Sequence, residues 1–354
     1  MAAKTAGTMK AWSHTRAGRP SSVLTLSTLP IPTLQSPCDV LVRVSHCALN
    51  PGASIVMQLL PFTFRSTPAI PEMDFSGIIV SSSCNLKPGT RVFGSIPLSQ
   101  HVKTTSGALA EYVVVPQTSV VPKPDSISME EAAGLGIAGA TALQLLKAAG
   151  LKTGDSVLVN GASGGIGHLV LQMCCHIVGP TGRVKAVCSS RNAEWVEKLG
   201  KDIQVIAYDT HGPVHLYLNK TFAGARFDAV VDAVGVQDIF NNSPTFLKEG
   251  RPYVTVGPKA SSYTYVGMLG TIGTMAKNML WPKWLGGTPR RYVQVAAASN
   301  PETLRELARM VTEEGLRTNV GSLIHIEDVH KVSFLPYTIA LKMLIVACRR
   351  MSIY

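Results

Sequence analysis

The residues Ser156-Val157-Leu158-Val159-Asn160-Gly161-Ala162-Ser163-Gly164-Gly165-Ile166-Gly167 constrain the fold more than any other stretch of the chain. A short branched apolar run feeds a glycine-rich turn, and Leu169, Val170, Met173 and Cys174 then repeat at helical spacing. This is how a parallel-sheet strand delivers a phosphate to a helix N-terminus, where free amides and the helix dipole favour negative charge. The glycines at 161–167 read Gly-x-x-Gly-x-x-Gly, a looser pattern than the strict dinucleotide fingerprint, so the surrounding strands carry much of the argument. Ser163 and the amides of Gly164, Gly165 and Ile166 are placed to meet phosphate oxygens.

The next strand, Val184 to Cys188, ends in Ser189, Ser190 and Arg191. No Asp or Glu stands there to grip the ribose hydroxyls of NAD. Two hydroxyls and a guanidinium suit a 2′-phosphate instead, which points to NADPH. Tyr208, at the end of the following strand candidate, is placed to stack near the adenosine.

Strand candidates at 203–208, 227–232 and 253–257 alternate with helical stretches, which describes an α/β fold with a doubly wound parallel sheet. Before them, residues 9 to about 126 carry short apolar runs broken by Pro, Gly and Ser, as in an all-β barrel-like domain. Ser128 and Glu131 form a capping box, and a helix is expected over Thr141 to Ala149. Asn300 and Pro301 open a later helix that Gly315 stops. The expected division is 1–126, 127–298 and 299–354, with the last segment and a closing strand at Lys342 to Ala347 returning to the first domain.

The chain has 354 residues, 33 Lys and Arg against 22 Asp and Glu, and a formal charge of +11. The basic residues are scattered and no nucleic-acid signature is present, so a field that attracts an anionic dinucleotide accounts for the charge better than a nucleic-acid surface. The seven cysteines form no CxxC module and read as reduced thiols of an intracellular protein. Four basic residues precede the first acidic one, Asp39, which suits a mitochondrial transit segment. A first strand beginning near Met9 and a cytoplasmic location are preferred. The apolar run from Phe334 to Cys348 is too short for a membrane span, so no stable membrane insertion is expected.

Several motifs in order resemble the medium-chain dehydrogenase/reductase superfamily, in its zinc-independent quinone oxidoreductase (zeta-crystallin-like) branch. They are Ala48-Leu49-Asn50-Pro51, Ile70 to Gly77, Gly107 to Tyr112, Glu131 to Gly134, the glycine turn, and Asp232 to Gly235. The resemblance implies a GroES-like barrel followed by a Rossmann domain, and a homodimer. Asn50 stands where zinc-dependent relatives hold a cysteine, and Met73-Asp74 falls in the region of their Gly-His-Glu. No set of converging zinc ligands remains, and no metal is expected. The resemblance also puts Thr141 near the nicotinamide end of the cofactor, and Val234 and Gly257 at strand ends lining its cleft. Gly52-Ala53-Ser54 after Pro51 and the stretch 337–342 depart from the family pattern, which leaves Lys342 a weak cofactor candidate.

Without a metal, hydride transfer to a quinone or to the activated C=C of an α,β-unsaturated carbonyl is easier than alcohol oxidation, because conjugation already polarises the accepting carbon. Asn50 is the candidate donor to the developing oxyanion, against a purely backbone-holding role; Ser54 and Tyr263 are candidate proton donors. Met57, Leu59, Leu60, Phe62 and Phe64 offer an apolar wall, and Met279 to Gly287 offers either a lid over a bulky apolar substrate or a subunit contact. The rival readings are a noncatalytic NADPH-binding partner of a larger biosynthetic complex and a zinc-dependent alcohol dehydrogenase.

Overall fold

The computed structural model describes residues 7–296, 299–332 and 343–348. The chain divides into two compact units, one of residues 1–140 with 298–354 and the other of residues 141–297. The first unit therefore runs past residue 126 to Ala140. The helix Met129–Ala133 belongs to it, started by the reciprocal bonds between Ser128 and Glu131 at 3.2 and 3.0 Å. The following helix begins at Ile137, four residues earlier than the sequence pattern suggested, and runs to Ala149.

In the first unit the long strand Asp39–Leu49 organises an antiparallel sheet. It pairs with Asp74–Ser82, Tyr112–Pro116 and Met343–Ala347. The closing strand thus returns to the first unit, with Val346 against Cys47, while Lys342 and the stretch 337–342 lie outside the described residues. Val40, Val42, Val44 and Phe75 pack into one buried core with Trp12. The apolar run at 109–115 becomes a strand only at Tyr112; Ala110 makes an isolated bridge to Ala11 instead. The helix Pro301–Glu313 is capped by Asn300, whose side chain accepts the Thr303 N–H at 2.8 Å. Its Leu304, Leu307, Met310 and Val311 are buried, each worth roughly 1.5–3 kcal/mol of apolar transfer.

The second unit holds a six-stranded sheet with order Ile203–Ala207, Arg183–Cys188, Ser156–Asn160, Ala229–Asp232, Pro252–Thr255 and Arg291–Gln294. Every neighbouring pair is parallel. Both faces of such a sheet are covered, which is why Val157, Leu158, Val159, Val230 and Val231 form near-continuous apolar runs and are fully buried. The strand order reverses between Ser156–Asn160 and Ala229–Asp232, and ligands of doubly wound sheets bind outside the carboxyl ends at such a reversal.

All seven cysteines are free thiols. Cys174 is buried, Cys175 partly so and His176 exposed, as the helical rotation between neighbours requires.

Candidate active site

At the strand-order reversal, Asn160 and Asp232 stand opposite each other as the last residues of their strands, and the Asn160 Nδ2 donates to Asp232 Oδ1 at 2.7 Å. Asp232 is fully buried and also receives the Tyr253 hydroxyl at 2.6 Å. The N–H groups of Val234, Gly235 and Val236 donate to it at 3.0, 2.9 and 2.8 Å. Five donors on one carboxyl fold the 233–236 loop into a single shape and satisfy a group that burial would otherwise penalise heavily. Val234 then packs on the glycine turn, because a Cβ at Gly161 would collide with its Cγ2.

Gly161 holds φ +74°, and a Cβ at Gly167 would strike the Gly161 carbonyl, so the turn closes only with glycine at both places. Inside it the Gly164 N–H donates to the Gly161 carbonyl at 2.9 Å. That amide, expected among those that meet phosphate oxygens, is engaged within the turn in this structure. The N–H groups of Gly165 and Ile166 make no hydrogen bond with a described residue, and they precede the helix Gly167–Val178. Amides in that position, ahead of a helix and without a partner among the described residues, are available to an anion. Beneath them buried His168, its pKa lowered by burial to about 4, donates as neutral imidazole from Nδ1 to the Gly164 carbonyl at 2.8 Å.

Asn192 ties this turn to the next strand, its Nδ2 donating to the Ser163 and Ser189 hydroxyl oxygens at 3.1 Å each. Beyond it the corner differs from the sequence reading. Asp209 arrives from the turn after Ile203–Ala207, and its carboxylate accepts the Ser190 N–H at 2.9 Å and the Ser190 hydroxyl at 2.8 Å. An acid therefore does stand at the end of the second strand, supplied by the third. Those two bonds from Ser190, with Arg191 nearby, hold the Asp209 pKa below the ordinary carboxylate value. Arg191 is exposed and makes no hydrogen bond or ion pair with a described residue, though its charge is near enough to act on Asp209. Tyr208 lies at the same corner, 42% exposed, with its N–H on the Cys188 carbonyl at 3.0 Å. Gly257, at φ +112°, follows the strand Pro252–Thr255, and its carbonyl sits where a Cβ on Gly235 would fall.

In the first unit, Asn50 is held between two buried carboxyls. Its N–H donates to Glu72 Oε2 at 2.9 Å, and its Nδ2 donates to Asp74 Oδ2 at 3.0 Å and to the Ala48 carbonyl at 3.4 Å. Asn50 is the expected N–H donor to substrate oxygen; without substrate, its Nδ2 hydrogens face Asp74 and, at longer range, the Ala48 carbonyl. Burial pushes the Glu72 pKa well above the carboxylate range and the Asp74 pKa up to about 6; Asn50 and the Ile137 N–H pull in the opposite direction. Glu72 occupies a left-handed backbone conformation at φ 67°, a position that favours glycine.

The remaining candidates are placed separately. Thr141 is buried within the helix Ile137–Ala149. Ser54 is buried in the helix Pro51–Leu59, where Met57 is also interior. Phe62 packs edge-on against His14 at 5.2 Å with the Arg65 guanidinium over its ring. The Tyr263 pKa is raised by burial. Among the described residues no three His, Cys, Asp or Glu side chains are grouped to hold a metal ion.

Sequence reasoning missed Asn192, Asp209 and Glu72. For Asn192 a signal existed, an amide one residue beyond the Ser-Ser-Arg tip. Nothing linear connects Asp209 to Ser190 or Glu72 to Asn50, which are 19 and 22 residues apart.

The Alcohol dehydrogenase GroES-like domain family matches residues 36–125, and the Zinc-binding dehydrogenase family matches residues 199–332. The trans-enoyl reductase poxH of Penicillium oxalicum is 32% identical over 362 residues, spanning 92% of this chain and 93% of that protein. The trans-enoyl reductase pgmF of Aspergillus terreus is 32% identical over 352 residues, spanning 93% of this chain and 92% of its own length. The quinone oxidoreductase of Coxiella burnetii superposes with a TM-score of 0.73 at 25% identity, covering 97% of this chain and 100% of that one.

Proposed function

Because the chain belongs to the medium-chain dehydrogenase/reductase superfamily, in its quinone- and enoyl-reductase branch without a catalytic zinc cluster, we propose that it is an NADPH-linked reductase of quinone- or enone-type substrates. The observation that carries this reading is the nucleotide corner: unused amides at Gly165 and Ile166, the Asn192 bridge from Ser163 to Ser189, and the uncommitted guanidinium of Arg191. Those groups match a diphosphate at one end and a 2′-phosphate at the other.

NADPH, when bound, supplies the hydride. The residues of the second unit then have three tasks. Gly165 and Ile166 hold the diphosphate, with the Ser163 hydroxyl beside them and Gly164 shaping their turn. Ser189, Ser190, Arg191 and Tyr208 hold the adenosine end. Val234 and Gly257, fixed by Asp232 and the sheet edge, shape the floor under the dinucleotide. Thr141 is assigned to the nicotinamide end on the family resemblance. In the first unit the task of Asn50, oriented by Glu72 and Asp74, is to donate from Nδ2 to the developing oxyanion, exchanging its long 3.4 Å bond to the Ala48 carbonyl for the substrate oxygen. Reduction of an activated C=C places hydride on the β-carbon and a solvent-derived proton on the α-carbon. Such a substrate needs orientation and exclusion of water more than a metal.

The proposed division of labour gives substrate binding and catalysis to the first unit, residues 1–140 with 298–354, and NADPH binding to the second, residues 141–297, in place of the expected boundary at 126. A homodimer and a cytoplasmic location, with mitochondria as the alternative, complete the proposal. Among the described residues no helix is long and apolar enough to cross a membrane. The deciding experiment follows NADPH oxidation by the purified chain with a quinone, an α,β-unsaturated ketone and, in reverse, an alcohol with NADP⁺. With NADPH deuterated at C4, deuterium is expected at the β-carbon of the reduced ketone. Absence of NADPH consumption with both acceptors overturns the assignment and leaves a nucleotide-binding partner.

A further inference from the structure

Nine of the fifteen large apolar side chains exposed among the described residues fall between Tyr265 and Leu285. The helix Tyr265–Leu280 in that span buries none of its side chains. At about 100° per residue, Tyr265, Leu269, Ile272 and Leu280 line up along one face. The stripe continues through Trp281 and Trp284, the latter 83% exposed. Its polar edge is anchored elsewhere, by the paired amides of Asn278 and Gln237 at 2.8 and 2.9 Å. Monomeric proteins rarely leave so large an apolar stripe bare without a partner for it.

Charge says which partner. From Arg251 to Pro301 the sequence contains no Asp or Glu, while Lys259, Lys277, Lys283 and Arg291 are exposed and make no ion pair with a described residue. A second copy of the chain docked face to face on this stripe would bring like-charged rims together. A protein partner would also ask for roughly one hydrogen bond per 100–200 Å² of interface, and the stripe's side chains are mostly apolar, with the Trp281 indole already donating to the Leu285 carbonyl at 2.9 Å. A lipid surface asks for none. Aromatic rings with one polar edge at both ends of an apolar helix, flanked by cations, match the boundary between headgroups and acyl chains. Sixteen residues make a helix of about 24 Å, suited to lying in that plane.

We infer that the Tyr265–Leu285 segment docks the protein reversibly on an anionic lipid surface, with the apolar stripe among the acyl chains and Lys277 and Lys283 at the headgroups. The inference is independent of the reductase reading, because lipid binding reports on it and turnover does not. The full chain is mixed with vesicles of phosphatidylcholine, with or without phosphatidylserine, and followed by co-sedimentation and by tryptophan emission, to which the patch contributes two of the four indoles. Binding to the serine-lipid vesicles with a blue-shifted emission is expected, about ten-fold weaker without the anionic lipid and weakened again by salt. Leu269→Glu with Leu280→Glu should abolish it. Lys277→Glu with Lys283→Glu should weaken it by at least five-fold for each charge lost. These residues are exposed, and unchanged NADPH affinity certifies that each variant is folded. Three outcomes overturn the inference: no binding to anionic vesicles at low salt, binding indifferent to the leucine pair, or self-association that the leucine pair abolishes in the absence of vesicle binding. The last assigns the face to a second copy.

Discussion

Asp209 clasps Ser190 with both carboxylate oxygens, taking its N–H at 2.9 Å and its hydroxyl at 2.8 Å. The clasp puts a negative charge at the corner where Arg191 offers the positive one. A 2′-phosphate there gains the guanidinium and is repelled by the carboxylate.

Asp209→Asn keeps acceptor capacity for Ser190 and removes the charge. NADPH is then expected to bind several-fold tighter while NADH is little changed, measured by nucleotide fluorescence titration. A weaker NADPH affinity would instead mean that the carboxylate serves mainly to present Ser190.

Arg191→Ala removes the cation without disturbing a bond inside the protein. The NADPH dissociation constant should rise about ten-fold, with NADH unaffected, as loss of one exposed charge-assisted contact predicts.

Glu72 and Asp74 make stability depend on pH. Burial raises both folded-state pKa values above the ordinary 4.5 and 3.8, Asp74 to about 6. A raised carboxyl favours the protonated form on folding. The stability it lends is therefore full below the unfolded value and is lost as pH rises toward the folded one. For Asp74 alone the loss is about 3 kcal/mol between acid and neutral pH. Buried His168, neutral in the fold, contributes the opposite slope between about 4 and 6.5. The carboxyl contribution is therefore read as the difference in denaturant midpoint between the wild type and a carboxyl variant, which should widen as pH rises from about 4 through 6. In Glu72→Gln, which retains an acceptor for the Asn50 N–H, that carboxyl's share of the slope should be lost and neutral-pH stability should rise.

Asp232→Ala strands five donors at once, among them the buried Tyr253 hydroxyl and the Asn160 amide. More than about 3 kcal/mol of stability should be lost, with NADPH affinity falling alongside it because the 233–236 loop loses its template. Thermal denaturation and nucleotide titration on the same sample check both.

Turnover should be insensitive to metal chelators. The family resemblance puts Asn50 where zinc-dependent relatives hold a cysteine and Met73-Asp74 in the region of their Gly-His-Glu. No three His, Cys, Asp or Glu side chains group to hold a metal among the described residues. Activity assayed after prolonged chelation and compared with an untreated sample tests it.

Local pattern and composition were enough for much of the architecture. The strand-turn-helix at 156–178, the Ser128–Glu131 box and the Asn300 cap are contacts between near neighbours, so spacing encodes them directly. The parallel sheet was legible because strands buried on both faces must be apolar throughout. The strand-order reversal is a property of topology and was accessible only through the family pattern.

What residue order alone settled about this protein is its class of fold, its glycine turn and the basic tip that suits a phosphorylated nucleotide. Only the folded chain decided which of those groups remain available. It engaged the Gly164 amide within the turn, set Asp209 against Ser190, and placed Asn50 between Glu72 and Asp74. It also left the Tyr265–Leu280 stripe uncovered, a fact that apolar periodicity could not reveal, since the same pattern describes a helix packed in a core. The physical reason is common to all of these. Donors, acceptors and apolar faces are satisfied by whatever the fold brings near, and nearness across 19 or 22 residues is set by strand topology and has no signature in local spacing.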